Sequence, residues 1–231
     1  MMNETFIFLA AVQLMILLLA ISIHESAHAL VSDWLGDPTA KDLGRITLNP
    51  LPHLEPFGTV VLPIMLIVSG IPVFGWGRPT PVTSANLRHP ARDSLLIAVA
   101  GPAANLLIAT ATSVILWISL HAIGDGARQA AMLTLVRDFE RGADFAHFPL
   151  IFTLFQFAYI NAFLAIFHLL PVPLFDGGEI LLQFLPPDWA LKFDRLRPYG
   201  HLIVILLSFT PLLILVSVPV LFVLSVIINL G

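Results

Sequence analysis

Long apolar stretches alternate with shorter polar ones along this chain. The apolar stretches cover residues 6–23, 57–74, 95–120, 149–170 and 201–230. Because roughly 20 apolar residues in a helix cross a bilayer core about 30 Å thick, these stretches predict membrane helices. The first can remain helical to about Leu35. The last is interrupted by Pro211 and Pro219, and it fits either one long kinked helix or a tight helical pair.

The second stretch, 57–74, differs from the others because it contains four helix-breaking residues: Gly58, Pro63, Gly70 and Pro72. Such a segment is either a marginal span or a re-entrant segment that enters the membrane and returns. The residues before it, 43–56, include three prolines and predict turns or a short hairpin.

Composition points to a membrane location. Apolar residues make up 58% of the chain and charged residues 11%. A soluble domain has about 25% charged residues, so lipid is the natural solvent of this chain. Cysteine is absent, and any bound metal therefore needs His, Asp or Glu ligands. The net charge is −4 with no basic block, which gives no support for nucleic-acid binding.

The basic residues predict the orientation. If 57–74 re-enters, residues 33–94 and 186–200 share one face of the membrane. That face then carries all of the 11 basic residues except three, Arg128, Arg137 and Arg141. Basic residues concentrate on the cytoplasmic side, so this division favours the re-entrant interpretation and a cytoplasmic location for that face.

The sequence His24-Glu25-Ser26-Ala27-His28 lies at the end of the first apolar stretch. Histidines four residues apart lie on one face of a helix, where both imidazoles can bind one Zn²⁺. Glu25 is then placed to take a proton from a water at the metal. Ionisable residues at the end of a membrane helix are costly, which favours a functional role over a polar cluster at the membrane surface.

A catalytic zinc site needs a third protein ligand, and Asp176 is the candidate that stands out. It follows Pro171 and Pro173, which break the fourth apolar helix, and it precedes Gly177 and Gly178, which allow a sharp turn. The same residues equally allow Asp176 to be the N-cap of a short helix that begins near Gly177.

Three motifs in this order resemble the site-2 protease family of intramembrane zinc metalloproteases, which is peptidase M50-like. They are His24-Glu25-Ser26-Ala27-His28, Gly101-Pro102-Ala103-Ala104-Asn105 and Pro171-Val172-Pro173-Leu174-Phe175-Asp176-Gly177. The resemblance implies that His24, His28 and Asp176 bind one Zn²⁺ per chain and that Glu25 is the general base. It also implies that the substrates are transmembrane helices of membrane-anchored regulatory proteins.

The resemblance further implies parallel His-bearing and Asp-bearing helices. The expected fold is an all-α polytopic membrane protein, with about four to six membrane segments around a three-helix catalytic core and a short hairpin or re-entrant region after the first helix. We expect one integral-membrane metalloprotease domain over residues 1–231, with its core at about 5–185, C-terminal membrane segments at about 200–230, and no PDZ or CBS domain. The expected location is the inner or plasma membrane of a prokaryote, with the active site toward the cytoplasm. The sequence indicates no oligomeric state.

One position departs from the family pattern Asn-x-x-Pro-x-Pro-x-x-Asp-Gly, because His168 stands where the Asn is expected. In the family this Asn is associated with substrate positioning or the developing oxyanion, and a neutral His can donate one N–H for that role. His168 could instead compete as a metal ligand, or activity could be reduced. Asn105 is a further candidate for substrate positioning, although a hydrogen bond between packed helices is the simpler role.

The segment Phe74-Gly75-Trp76-Gly77-Arg78-Pro79 resembles the family's extended edge near the active site. Gly75, Trp76 and Gly77 could pair with an unwound substrate by strand addition, or they could form an ordinary interfacial loop. Trp76 and Trp117 also suit interfacial anchors. The remaining histidines are expected in solvent or at the membrane interface: His53, His89, His121, His147 and His201.

Two other classes of function compete with a protease. A catalytically impaired family member would act as a membrane-helix-binding scaffold, and the change at His168 is the feature that favours it. A membrane metal transporter or sensor would use the same histidines without Glu25. Transport sites usually lie between helices broken in corresponding halves, and this sequence shows no such pattern.

Overall fold

The computed structural model describes residues 4–69, 73–208 and 210–230. The α-helices in these ranges are α1 Glu4–Trp34, α2 Thr39–Asp42, α3 Leu62–Val68, α4 Pro90–Ile123, α5 Asp125–Leu135, α6 Phe139–Gly142, α7 Phe148–His168, α8 Asp176–Leu182, α9 Pro187–Asp194, α10 Gly200–Ser208 and α11 Leu212–Leu230. Shorter 3-10 turns occur at Leu51–His53, Ser84–Asn86 and Arg197–Tyr199, and a π-helical turn occurs at Pro56–Val61. No β-strand occurs in the described ranges.

Four of these helices are long and apolar enough to cross a membrane, namely α1, α4, α7 and α11. The predicted all-α polytopic membrane fold is therefore confirmed. Of the two interpretations of 201–230, the structure has the helical pair, because α10 ends at Ser208 and α11 begins at Leu212 after Pro211. Residue 209, between the two helices, lies outside the described part of the chain.

The helix ends follow local sequence rules. After α1, Gly36 has a φ of 110°, a conformation that L side chains rarely adopt, and Pro38 cannot continue a helix. At their N-termini, α4 and α7 each carry a proline in the first turn, Pro90 and Pro149. An N–H at this position would have no hydrogen-bond partner within the helix, so its absence costs little. Glycine and proline therefore mark the ends of these helices and the limits of the polar stretches between them.

Helix α7 is the centre of the bundle. It packs against α1, α4, α5 and α11. Of the 18 consecutive residues that are most apolar in each helix, 67% are buried in α7 and only 17% in α4. The fully buried aromatic side chains Phe152, Phe163 and Phe167 lie along it. In α4, by contrast, apolar side chains such as Leu107 are exposed, as expected for a helix that faces lipid.

The described part of the segment 57–74 favours the re-entrant interpretation. The π-helical turn of six residues and α3 of seven residues form one short apolar helix, Pro56–Val68, which is too short to cross a bilayer. The chain then returns beside its starting point, because the Trp76 N–H donates to the Gly58 carbonyl and the Thr59 hydroxyl donates to the Trp76 carbonyl over 2.9 Å. Two of the predicted helix breakers, Gly70 and Pro72, lie outside the described residues.

Helices α1 and α7 run parallel, as the resemblance implied. His24 and His168, late in their helices, lie side by side, with Nε2 of His24 2.8 Å from Nδ1 of His168. Gln13 and Gln156, early in the same two helices, line one small cavity. Helix α4 runs in the opposite direction, since its N-terminal half brings Gly101 against His24.

A cluster that we call the Asp37 clasp joins the end of α1 to the chain before α4. It consists of Ser32, Asp37, Thr39, Thr83 and Asn86. The buried Asp37 carboxylate accepts hydrogen bonds from the Thr83 N–H over 2.7 Å, from the Asn86 amide over 2.9 Å, and from Ser32 and Thr39. Burial raises the pKa of Asp37, but these hydrogen bonds outweigh burial and lower that pKa to about 2.

Candidate metal centre

His24, His28 and Asp176 come together inside the helical bundle. Nε2 of His24 lies 3.0 Å from Oδ2 of Asp176, and Nε2 of His28 lies 3.2 Å from Oδ1. One ligand atom from each of the three lies within 4.8 Å of the other two. Both histidines are buried and Asp176 is half-buried. The structure thus places the three predicted ligands in one group, although 152 residues separate His24 from Asp176.

Asp176 reaches this group because the chain breaks after α7. Helix α7 ends at His168, and Gly177 and Gly178 pack so closely on the backbone of 169–173 that a Cβ at either would collide with carbonyl oxygens. The N-cap alternative for Asp176 is not what the structure shows. Helix α8 begins at Asp176 itself, its N-cap is Phe175, and no side chain caps it.

The second nitrogen of each histidine is also engaged. Nδ1 of His28 lies 2.7 Å from the Ile97 carbonyl, to which it can only donate, so Nε2 is left as the ligand atom. Nδ1 of His24 lies 3.4 Å from the amide nitrogen of Asn105, whose Oδ1 is buried without a hydrogen-bond partner. With the amide reversed, Oδ1 accepts from Nδ1–H of His24, and Nε2 of His24 is then left as the ligand atom.

The residues fit zinc. Tetrahedral Zn²⁺ with nitrogen and oxygen ligands at about 2.0–2.2 Å requires ligand atoms roughly 3.3 Å apart, close to the separations of 3.0 and 3.2 Å. Gly101 of α4 keeps this space open. A Cβ there would lie 2.6 Å from Nε2 of His24 and closer still to Nε2 of His28.

Glu25 lies beside this group and lines the same cavity. The Thr80 hydroxyl is 2.7 Å from Oε2 of Glu25 and 3.0 Å from the Glu25 carbonyl. The Arg45 guanidinium, which is also buried, lies 4.0 Å from Oε2. The sequence motifs did not identify Arg45 or Thr80, because both lie in polar stretches without a recognisable pattern around them.

His168 lies next to the three candidate ligands. Its Nδ1 is 2.8 Å from Nε2 of His24 and 3.6 Å from Oδ2 of Asp176. Its Nε2 is buried and has no hydrogen-bond partner among the described residues. The imidazole of His168 therefore occupies the position where the family pattern has an amide. Its Nδ1 faces the candidate ligands His24 and Asp176, and its Nε2 lacks a hydrogen-bond partner among the described residues.

The segment 75–77 is extended and lies along the start of the re-entrant segment. The N–H of Trp76 donates to Gly58 and the N–H of Arg78 donates to His53 over 2.7 Å, so alternate residues face the protein. Gly77 packs against α1, where a Cβ would meet Ile21 and Glu25. Trp76 and Gly77 also line the cavity that contains the His24 group, and the cavity has a volume of about 590 Å³.

Two expectations about this region are wrong. Trp76 is 4% exposed and does not anchor the protein at the interface, because its ring fills the space above Gly58. His53 is 1% exposed, since its Nε2 donates to the Thr47 carbonyl over 2.9 Å within the folded loop. Burial lowers the pKa of His53. His89, His121, His147 and His201 are exposed, as predicted for residues in solvent or at the interface, and Trp117, which is also exposed, stays a predicted interfacial anchor.

Comparisons with known proteins agree with this geometry. The model of the family described as Peptidase family M50 matches residues 12–207, which contain all three motifs. "Putative zinc metalloprotease YwhC" of Bacillus subtilis (strain 168) is 35% identical over 196 residues, which cover 85% of this chain and 79% of that protein. "Putative zinc metalloprotease Rip2" of Mycolicibacterium smegmatis is 28% identical over 197 residues, which cover 85% of this chain and 66% of that protein. No solved structure matches the chain.

Proposed function

The chain belongs to peptidase family M50, the site-2 protease family, and from this membership we propose that it hydrolyses peptide bonds within the transmembrane helices of membrane-anchored regulatory proteins. The coarser function, a zinc metalloprotease, follows from the family. The observation that carries the finer proposal is the convergence of His24, His28 and Asp176 beside Glu25 within a bundle of apolar helices.

The chemistry divides between the metal and the chain. When bound by His24, His28 and Asp176, zinc supplies a Lewis acid that polarises the scissile carbonyl and acidifies a water molecule. Glu25 is the general base: its carboxylate accepts a proton from the attacking water and later donates it to the leaving amine. The cavity gives water and the substrate backbone room beside Glu25.

The substrate must be extended when it is cut, because a helix shields its peptide bonds. Gly75, Trp76 and Gly77 are the proposed edge for an unwound substrate strand. The N–H of Trp76 is bonded to Gly58 of the re-entrant segment and that of Arg78 to His53 before it, and in an extended chain the N–H groups of Gly75 and Gly77 point the opposite way. All three residues are buried, but Trp76 and Gly77 line the cavity that contains Glu25, and this position supports strand addition beside the metal centre.

His168 and Asn105 have different proposed roles. His168 lines the cavity, and a ring N–H there can donate to the developing oxyanion in place of the family's amide. Asn105 is buried against His24, so its contact supports a role in orienting a metal ligand rather than substrate.

The proposed enzyme is a multi-pass protein of a prokaryotic inner or plasma membrane, with the metal centre toward the cytoplasm. The division of basic residues between the two faces supports this orientation. The expected partners are the lipid bilayer and transmembrane protein substrates.

The proposal is tested with Glu25→Gln and a panel of co-expressed single-span membrane proteins. We expect the variant to retain one zinc per chain, because Glu25 is not a ligand, and to lose cleavage by at least about 100-fold. Glu140→Gln, an identical change at an exposed position that does not line the cavity, is the matched control and should cleave normally.

The same experiment separates the alternatives. Cleavage retained by Glu25→Gln would refute the role of Glu25. Zinc in the wild type without cleavage of any panel member would favour the scaffold alternative, for which the substitution at His168 is the supporting observation. Zinc uptake into liposomes that contain the wild type would favour a transporter.

A further inference from the structure

Two side chains from outside α1 hold the Glu25 carboxylate. The Thr80 hydroxyl donates to Oε2 over 2.7 Å, and Nη2 of Arg45 lies 4.0 Å from the same oxygen. The side chains of Arg45 and Glu25 are 6% and 9% exposed. Glu25 thus has a defined orientation, and the residues that define it belong to none of the three sequence motifs.

Arg45 is buried with Glu25 as its counter-charge. A guanidinium stays charged at neutral pH, and its burial is costly without a partner. Among the described residues, Glu25 is the carboxylate in ion-pair range of Arg45. The other nearby charge that acts on Arg45 is that of Arg78, and it repels the guanidinium. The cost of burying Arg45 is therefore offset chiefly by the group that it orients.

Both side chains also connect Glu25 to the extended segment. Nη2 of Arg45 donates to the backbone carbonyl of Arg78, and Thr80 lies two residues further along the same segment. The Arg78 N–H in turn donates to the His53 carbonyl. Residues 78–80, which directly follow the proposed substrate edge, are thus joined to the proposed general base by two separate contacts.

We propose that Arg45 and Thr80 are positioning residues that fix the Glu25 carboxylate toward the metal centre and couple its orientation to the segment that receives the substrate. This inference rests on the proposed function. A strand that pairs with 75–77 would hold 78–80 in place, and the Arg45 and Thr80 contacts would then hold Glu25 in its reactive orientation. Loss of either contact should lower kcat and leave KM nearly unchanged.

The test uses purified full-length protein and a fluorescently labelled single-span segment that the wild type cleaves. Thr80→Val keeps the side-chain shape and removes the hydroxyl, and we expect kcat to fall about tenfold. Arg45→Met removes the charge, and we expect kcat to fall about 100-fold with partial rescue in Arg45→Lys. In all three variants KM should stay within about twofold and zinc content at one per chain. Arg92→Met, at an exposed arginine of α4, is the matched control.

A double variant provides a readout that a merely structural role would not produce. If both side chains act on Glu25, Arg45→Met with Thr80→Val should lose clearly less activity than the product of the two single losses. Should Arg45→Met fail to fold, Thr80→Val alone decides through kcat and KM. Wild-type kcat in folded, zinc-loaded variants, or losses confined to KM, would overturn the inference. Absence of cleavage by the wild type would instead reject the proposed function.

Discussion

Gly101 determines whether the two histidines and a metal can occupy the same space. A Cβ at this position would collide with Nε2 of both His24 and His28, so no side chain larger than hydrogen fits between helix α4 and these atoms. The glycine therefore acts on the metal centre without offering a ligand. At the residue scale, the absence of a side chain matters here as much as the identity of the ligands.

Gly101→Ala should weaken zinc binding by at least about tenfold, because one methyl group would displace the histidine rings. Equilibrium dialysis against a zinc chelator measures the change directly. Gly126→Ala is the control, since the nearest atom to its new Cβ would be 3.9 Å away in Phe145, and it should bind zinc as the wild type does. Wild-type affinity in Gly101→Ala would show that the rings move without cost.

At the same scale, the sequence predicted the metal ligands better than the buried polar residues that surround the site. His24, His28 and Asp176 stand in motifs whose spacing has a chemical meaning, and the structure brings them together. Arg45 and His53 lie in a polar stretch, where exposure is the ordinary expectation, yet both are buried. Their burial depends on how 43–56 folds over α1, and no local pattern encodes that packing. Asp37 carried a weak signal, because Asp followed by Thr two residues later is typical of a side-chain turn.

At the scale of elements, the Asp37 clasp fixes the polar connection before α4, in which Val82 and Ser84 line the cavity. It ties the end of α1 to the 3-10 turn at Ser84–Asn86 directly before α4. Since α1 and α4 carry His24 and Gly101, the clasp helps to set the distance between the two helices that enclose the metal centre. Its effect is on stability and spacing rather than on chemistry.

Asp37→Asn should destabilise the protein by about 2 kcal/mol at pH 7, because an amide replaces a carboxylate that accepts hydrogen bonds from four residues. The pKa of Asp37 in the folded protein, about 2, lies below the ordinary value of 3.8. Its stabilisation is therefore fully present above pH 3.8 and is lost as the pH falls towards 2.

Thermal unfolding in detergent at several pH values checks this prediction. The difference in melting temperature between wild type and Asp37→Asn should be constant from pH 7 to about pH 5 and should shrink below pH 4. A difference that grows on acidification would contradict the assignment of the stabilisation to the ionised carboxylate.

The elements themselves were largely predictable. Apolar stretches of roughly 20 residues located α1, α4, α7 and α11, because lipid leaves a helix few alternatives. The ends of α10 and α11 were not predictable. Pro211 allows a kink as well as a break, so the local sequence does not decide between them, and the structure has the break, with α11 packed against α7 and α4.

At the scale of the whole molecule, the exposed apolar side chains define what surrounds the protein. Leu107 of α4 and Leu215 and Phe222 of α11 are each more than 60% exposed, as side chains in contact with lipid would be. The basic residues lie mainly in 33–94 and 186–200 and predict which end of the bundle faces the cytoplasm.

The natural absence of cysteine makes the orientation directly measurable. Single cysteines at Asp188 and at Glu140, both exposed, lie on opposite faces in the proposed topology. A membrane-impermeant maleimide should label Glu140→Cys in intact spheroplasts and Asp188→Cys only after the membrane is opened. The reverse pattern would place the metal centre on the outer side.

The distance in sequence between the two halves of the metal centre has a consequence for biosynthesis. A growing chain carries His24 and His28 as soon as α1 enters the membrane, but the proposed third ligand is absent until residue 176 has left the ribosome. The proposed protease therefore cannot assemble its metal site during most of its own translation.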